Sequence, residues 1–340
     1  MELPLGILDQ TPIVSGTSPR DAVDATIALA RTAEALGYRR YWLAEHHATR
    51  GLGDAAPEVL LGRLSAETSR IRIGSGGVLL PHYAAMKVAE QFRMLEALAP
   101  GRVDLGIGRA PGGSRRVTAA LSSHDVRLFP RQVLDLIGFL EGNLPDEHEF
   151  AALRAQPTGE RSPEVWMLGS SEYGAQLAAE LGLPYAYAHF IGGDAEHLTR
   201  MYRRHFTPSL RCPEPRVLLA VAALTAPTPE EAEDAARTID LWRLRIRRGI
   251  DLPVPTREEA HAFPLSGDEL DEVHWNRQRL ALGAPRTVRA RIEELVATHG
   301  ADEAMVVTIA PTYAERTRSY TLLAQACAQA EPVGHTKPPA

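Results

Sequence analysis

Short apolar runs alternate with amphipathic stretches along most of the chain. The runs are Leu5–Leu8, Arg40–Leu43, Ile71–Leu80, Arg102–Gly108, Val165–Leu168, Tyr185–Ala188, Arg216–Ala223 and Glu303–Ile309. Their content of aliphatic, aromatic and β-branched residues suits parallel strands covered on both faces. The stretches between them carry helical spacing. After Leu8, Ser18 is placed to cap a helix, Pro19 suits its first position, Asp21 completes a capping box and Gly37 ends it. Further helices are predicted over Pro57–Thr68, Ala84–Leu98, Phe129–Leu140, from the Gly169-Ser170-Ser171 turn to Leu181, and over Ala195–His205, Pro229–Arg247 and Ala314–Gln329.

Eight strands alternating with helices predict a (β/α)8 TIM barrel rather than a doubly wound sheet. Residues 1–331 read as one barrel domain, and Pro332–Ala340 as a disordered tail. Between about Gly249 and Ala284 the alternation breaks, just before the last strand. A long connection with weak regular structure suggests a lid over the barrel mouth, against the alternative of a tolerated surface insertion.

Composition narrows the picture little: 44% hydrophobic and 24% charged residues are ordinary for a globular protein. A net charge of −6 gives no electrostatic reason to expect nucleic acid or a membrane surface. No apolar run approaches the ~20 residues that span a bilayer. Met1–Pro4 lacks the order of a signal peptide, and Cys212 and Cys327 are isolated, without metal or redox spacing. A cytoplasmic protein without disulfides is the expectation.

Candidate chemistry gathers at the strand ends, where parallel α/β proteins place it. The second strand runs into Glu45-His46-His47, and strand alternation turns Glu45 and His47 one way and His46 the other. That geometry disfavours a metal-dependent hydrolase, because neighbouring histidines on opposite faces cannot share one ion. Gly76-Gly77 in the third strand removes side chains where a flat group approaches the backbone, or marks a bulge. Gly106-Ile107-Gly108-Arg109 imitates a dinucleotide fingerprint, but Pro111 occupies the last required glycine position. Arg109 reads instead as an anion partner. Ser170 and Ser171 precede a helix and either bind phosphate at its amino terminus or simply cap it. Tyr38, Tyr41 and Trp42 read as core, while His82 and His189 either line the pocket or sit in solvated loops.

Taken in order, Trp42-Leu43-Ala44-Glu45-His46-His47, Gly74 through His82, Gly101 through Arg109, Ser170-Ser171-Glu172-Tyr173 and Gly182-Leu183-Pro184 resemble the bacterial luciferase-like flavin-dependent monooxygenases. The resemblance covers nearly the whole chain. It implies a barrel that binds reduced FMN and activates O2 through a flavin C4a-hydroperoxide. It makes His46 the catalytic histidine and Gly76-Gly77 a cis peptide beneath the flavin ring. Arg109, Ser170 and Tyr173 become phosphate contacts. With an ordinary pKa near ~6.5, His46 would pass a proton near neutral pH.

A separate NAD(P)H-dependent flavin reductase, a homodimer and a small organic substrate, such as an aromatic natural product, are also implied. Hydroxylation, epoxidation and Baeyer–Villiger insertion all remain open. Relatives that use F420 for hydride transfer, or bind flavin without catalysis, are the alternatives. Gly108 stands where the aldehyde-oxidising luciferase chain has a reactive cysteine, which argues against a long-chain aldehyde substrate or light emission.

Overall fold

A computed structural model describes residues 3–121, 125–159 and 161–329. Its strands are β1 (Leu5–Asp9), β2 (Arg40–Leu43), β3 (Arg72–Leu79), β4 (Val103–Gly108), β5 (Glu164–Gly169), β6 (Tyr185–Ala188), β7 (Val217–Thr225), β8 (Leu280–Gly283) and β9 (Glu303–Val307). All their pairings are parallel. β1 through β7 pair in sequence, β7 pairs with β9, and β9 returns to β1, so eight strands close into a barrel. The expected (β/α)8 fold is therefore present, with helices on the outside.

Strand alternation builds the core in two layers. Ile7, Tyr41, Ile73, Leu105 and Leu219 point outward against helix residues such as Leu29, Leu61 and Phe92. Leu8, Trp42, Trp166, Ala186, Leu218, Ala220 and Met305 point into the barrel. The first helix, Pro19–Ala35, begins with the predicted Ser18–Asp21 capping box.

The lower end of the barrel is filled by charge. Arg40, fully buried, donates to Glu303 Oε1 at 2.5 Å and to Asp104 Oδ2 at 2.6 Å. Asp104 also pairs with Arg72 and accepts the Trp42 indole N–H at 2.8 Å. The Arg40 guanidinium lies 4.9 Å from the Trp166 ring, which meets Trp42 edge to face. Burial disfavours the Arg40 charge, but Asp104 and Glu303 outweigh it and push the pKa up. Higher in the barrel the inward positions are small. Ala186, Ala188, Ala220 and Gly108 leave the upper half open as a cavity.

The structure corrects the reading of residues 249–284 as weakly structured. They contain the helices Arg257–Ala262 and Gly267–Arg277 and the ninth strand, β8. β8 pairs with the far end of β7, at Ala222–Thr225, while the lower part of β7 serves β9. β8 falls outside the eightfold strand–helix alternation that marks the other short runs, so the sequence pattern does not register it. The segment is anchored to the barrel by Val254, which exchanges backbone hydrogen bonds with Ile13 and Ser15. The expected tail, 332–340, lies outside the described residues. Among those residues, no helix is long and apolar enough to cross a membrane.

Breaking one side of the buried network leaves a charge uncompensated. Asp104→Ala should lower folding stability by about 3–5 kcal/mol, read from urea unfolding midpoints. A shift no larger than that of an exposed control, Asp24→Ala, would show that the network contributes little.

Candidate active site

β2 spans Arg40–Leu43, as its apolar run indicated, and Glu45, His46 and His47, expected to continue its alternation, occupy a loop. Backbone bonds from His46 N to Asp54 O (2.9 Å) and from His47 N to Gly112 O (3.1 Å) fix that loop. The two histidines still part company as alternation predicts. His47 Nε2 lies 2.6 Å from Glu45 Oε1, which also accepts the Tyr83 hydroxyl at 2.7 Å. The other Glu45 oxygen accepts the Leu79 N–H at 3.0 Å and ties the loop to β3. His46 turns away from this cluster, and its buried Nδ1 has no hydrogen-bond partner among the described residues.

Burial pushes the His46 pKa down to about 4, against a smaller pull from the Ala44 carbonyl. The imidazole is thus neutral at pH 7, which corrects the expectation of an ordinary, half-protonated histidine. Nearby Asp54 is shifted the other way: burial pushes its carboxyl up to about 7.

The Gly76–Gly77 peptide is cis, as the resemblance implied. It sits where the β3–β4 register shifts between Ser75 and Val78. A Cβ on Gly76 would meet Leu8 Cδ1 at 2.5 Å, and one on Gly77 would meet the Gly106 carbonyl at 2.6 Å. Only glycine fits at either position without moving a neighbour, so the strand faces the cavity with backbone alone.

Arg109 follows β4 and stacks over the Tyr173 ring, its guanidinium carbon 3.9 Å from the ring centroid. It is exposed and forms no ion pair among the described residues. Ser170 and Ser171 lead into the helix Glu172–Glu180, and Ser171, at its N-cap, makes no side-chain cap bond. The first N–H groups of that helix lack intrahelical partners. A free cation, two hydroxyls, the Tyr173 phenol and a helix amino terminus together form a rim suited to an anion.

His46, Gly76, Gly77, Arg109, Ser170 and Tyr173 all line one cavity of about 590 Å3. A second cavity of about 600 Å3 adjoins it, and Gln10, His46, Phe190 and Ile191 line both. The sequence reading missed Gln10, Phe190 and Ile191, although each follows the end of a strand, where the search could have found them. Trp42, read as core, is both: almost fully buried, it still contributes to the cavity wall. His82 and His189 line neither cavity. His82 is buried, its Nε2 2.9 Å from the Pro111 carbonyl. His189 is also buried, against His299 and 3.0 Å from Asp194 Oδ1.

Residues 3–303 match the profile of the family described as luciferase-like monooxygenase. The chain belongs to that family. An N-acetyl-S-alkylcysteine monooxygenase of Bacillus subtilis (strain 168) is 38% identical over 328 residues, covering 95% of this chain and 97% of the relative. Apo-MsnO8 superposes with a TM-score of 0.88 at 39% identity, covering 97% of this chain and 99% of that one. The oxygenating constituent of 3,6-diketocamphane monooxygenase from Pseudomonas putida, in complex with FMN, shares the fold at a TM-score of 0.72. It is 19% identical, with coverage of 96% and 98%. This luciferase-like monooxygenase is accordingly an enzyme, and its strand-end cavity is the candidate active site.

The buried imidazole has a consequence for pH dependence. The folded-state pKa of His46 lies below that of the unfolded chain, so between about pH 6.5 and 4 the unfolded chain takes up a proton that the folded one refuses. Stability from this group is complete above that window and is lost as pH falls through it, by at most about 1.4 kcal/mol per pH unit. Asp54, with its raised pKa, acts in the opposite sense over a similar range, so the test compares wild type with His46→Asn. The His46 ring resonance of the flavin-free protein should titrate near pH 4, and the variant should lose that part of the acid sensitivity. A midpoint near 6.5 by NMR would refute the neutral assignment.

Proposed function

We propose that this enzyme uses reduced FMN and O2 to insert one oxygen atom into a small organic substrate. A separate NAD(P)H-dependent reductase supplies the reduced flavin. One observation carries the reading: six residues from four distant segments line a single cavity, with a cationic, hydroxyl-rich rim and an imidazole shared with the next cavity.

FMN fits the residues present. Arg109, Ser170, Tyr173 and the amino terminus of the Glu172–Glu180 helix would hold its phosphate. Gly76 and Gly77 would lie against its ring, where the wall is backbone without side chains. Bound there, reduced FMN supplies the two electrons with which O2 is divided, one atom going to the substrate and the other to water.

His46 is placed at the junction of the cavities, neutral and with a ring nitrogen unpartnered among the described residues, so its part is to accept a hydrogen bond there and relay a proton without retaining it. Glu45 and Tyr83 hold His47 and thereby the loop that carries His46. The apolar walls limit water access to the reacting groups. The adjoining cavity receives the substrate, and residues 249–251 and Leu280 form part of its wall, which gives the 249–284 segment its role as a cover.

The described residues form one barrel without a second nucleotide-binding module, an observation that supports a separate reductase for NAD(P)H oxidation. The homodimer is proposed from the family resemblance alone.

Titration with FMN, reduced FMN and F420 tests the cofactor, and a preference for F420 would overturn the reading. In Arg109→Ala the affinity for FMN should fall ~10-fold or more, with riboflavin affinity nearly unchanged. Equal losses would remove Arg109 from the phosphate site. His46→Ala should keep flavin binding but lose substrate-coupled O2 consumption, releasing hydrogen peroxide instead. Unchanged coupling would reject His46, and wild-type protein that binds flavin without any substrate-dependent O2 uptake would be a binding protein.

A further inference from the structure

The helix Pro229–Arg247 presents Ile239, Trp242, Arg243 and Ile246 to the second cavity. Their i, i+3, i+4, i+7 spacing puts them on one helix face, so the wall is apolar except for one cation. Val307 and Ile309 face them from the end of β9.

Arg243 has no carboxylate partner among the described residues. Its guanidinium makes one hydrogen bond, a long one of 3.3 Å to the Asn276 carbonyl. The nearest acid, Asp240, is already committed to Arg277 through bonds of 2.8 and 2.7 Å. Arg279 adds a third positive charge. It donates to the Ile191 carbonyl and Asn276 Oδ1, stacks 3.9 Å over Trp275, and is likewise without an acid. Burial and the charge of Arg279 push the Arg243 pKa down to about 10, which leaves it protonated at neutral pH. Asp251, the carboxylate that lines the same cavity, is engaged by Thr49 and the Arg50 N–H, so Arg243 faces the cavity without an ion-pair partner among the described residues.

A desolvated cation is costly unless an anion completes it. A planar guanidinium matches a carboxylate through two parallel hydrogen bonds. We propose that the second cavity takes an organic carboxylate with an apolar body, its carboxylate on Arg243 and its apolar part directed toward His46. The proposal deepens the monooxygenase reading and depends on it only for naming this ligand the substrate. Asn276 and Arg279 keep the anchor in place: Asn276 binds both arginines, and the repulsion between the arginines leaves Arg243 available to the ligand.

The test uses octanoate and 4-phenylbutyrate against octanamide and 4-phenylbutyramide, titrated calorimetrically into the full chain with and without FMN. Wild type should bind each acid ~10-fold or more tightly than its amide. Arg243→Met should lower acid affinity ~10–100-fold and leave amide affinity nearly unchanged, while Arg243→Lys restores part of the loss. Unchanged FMN affinity in both variants reports an intact fold. Equal binding of acid and amide by wild type, equal losses for both in Arg243→Met, or no binding of any probe would overturn the proposal. Failure of FMN to bind would instead overturn the flavin reading, while acid selectivity at Arg243 would survive as an anion site.

Discussion

The buried guanidinium of Arg40, clamped between Asp104 and Glu303, decides which half of the barrel is solid and which is open. A closed eight-stranded barrel has room only for its own side chains unless small residues are placed inside. Here the lower layer holds the charge network, with Trp42 and Trp166 packed against it. Those groups join β2, β4, β5 and β9 across the interior and fill it. The upper layer is alanine and glycine, and the space they leave is the cavity. An ion pair this deep adds little net stability over apolar packing, yet removing one member is severe. Its contribution is to exclude ligands from the lower end.

A second buried cluster does the same work at the rim. Asp9, at the end of β1, accepts from Arg316 at 2.5 Å, from Thr26 at 2.9 Å and from Tyr41. Burial opposes its ionisation, but Arg316 and these hydrogen bonds hold its pKa below the usual carboxylate range. The final helix, Tyr313–Ala328, is thereby locked to the first strand beside Gln10. With Glu45 bridging His47, Tyr83 and β3, the loop that carries His46 has little freedom. Placement of the imidazole comes from acids that never reach the cavity themselves.

Two adjoining cavities with one shared imidazole divide the chemistry by environment. The first has its polar groups at the rim and glycine backbone along one wall. The second has an aliphatic and aromatic wall from the helix Pro229–Arg247 that carries Arg243, with polar groups such as Gln10, His47, Thr49 and Asp251 elsewhere on its lining. His46 belongs to both, and burial makes it a neutral acceptor where an exposed histidine would be partly charged. Desolvation, and not a neighbouring charge, sets that state.

Local pattern was enough for the barrel, because a parallel strand buried on both faces must be apolar throughout and its return helix must be amphipathic. It also singled out His46, Gly76, Gly77, Arg109 and Ser170 as strand-end candidates, while Tyr173 came only from the family resemblance; the structure brings all six to one cavity. The helix Pro229–Arg247 matched its predicted bounds, and the capping box at Ser18 marked another start. β8 was not legible: it is an extra strand outside the eightfold alternation, and its partner lies more than fifty residues earlier in the chain. That Glu45, His46 and His47 leave the strand was also hidden, since the backbone after Leu43 turns to bond Asp54 and Gly112. Sequence alone determined which segments could be strands, helices and strand-end functional groups. The tertiary structure alone decided that His46 is neutral and faces two cavities, that His82 and His189 face neither, and that Arg243 has no acid partner among the described residues. Burial and pairing depend on which distant segments meet, and no local spacing records that.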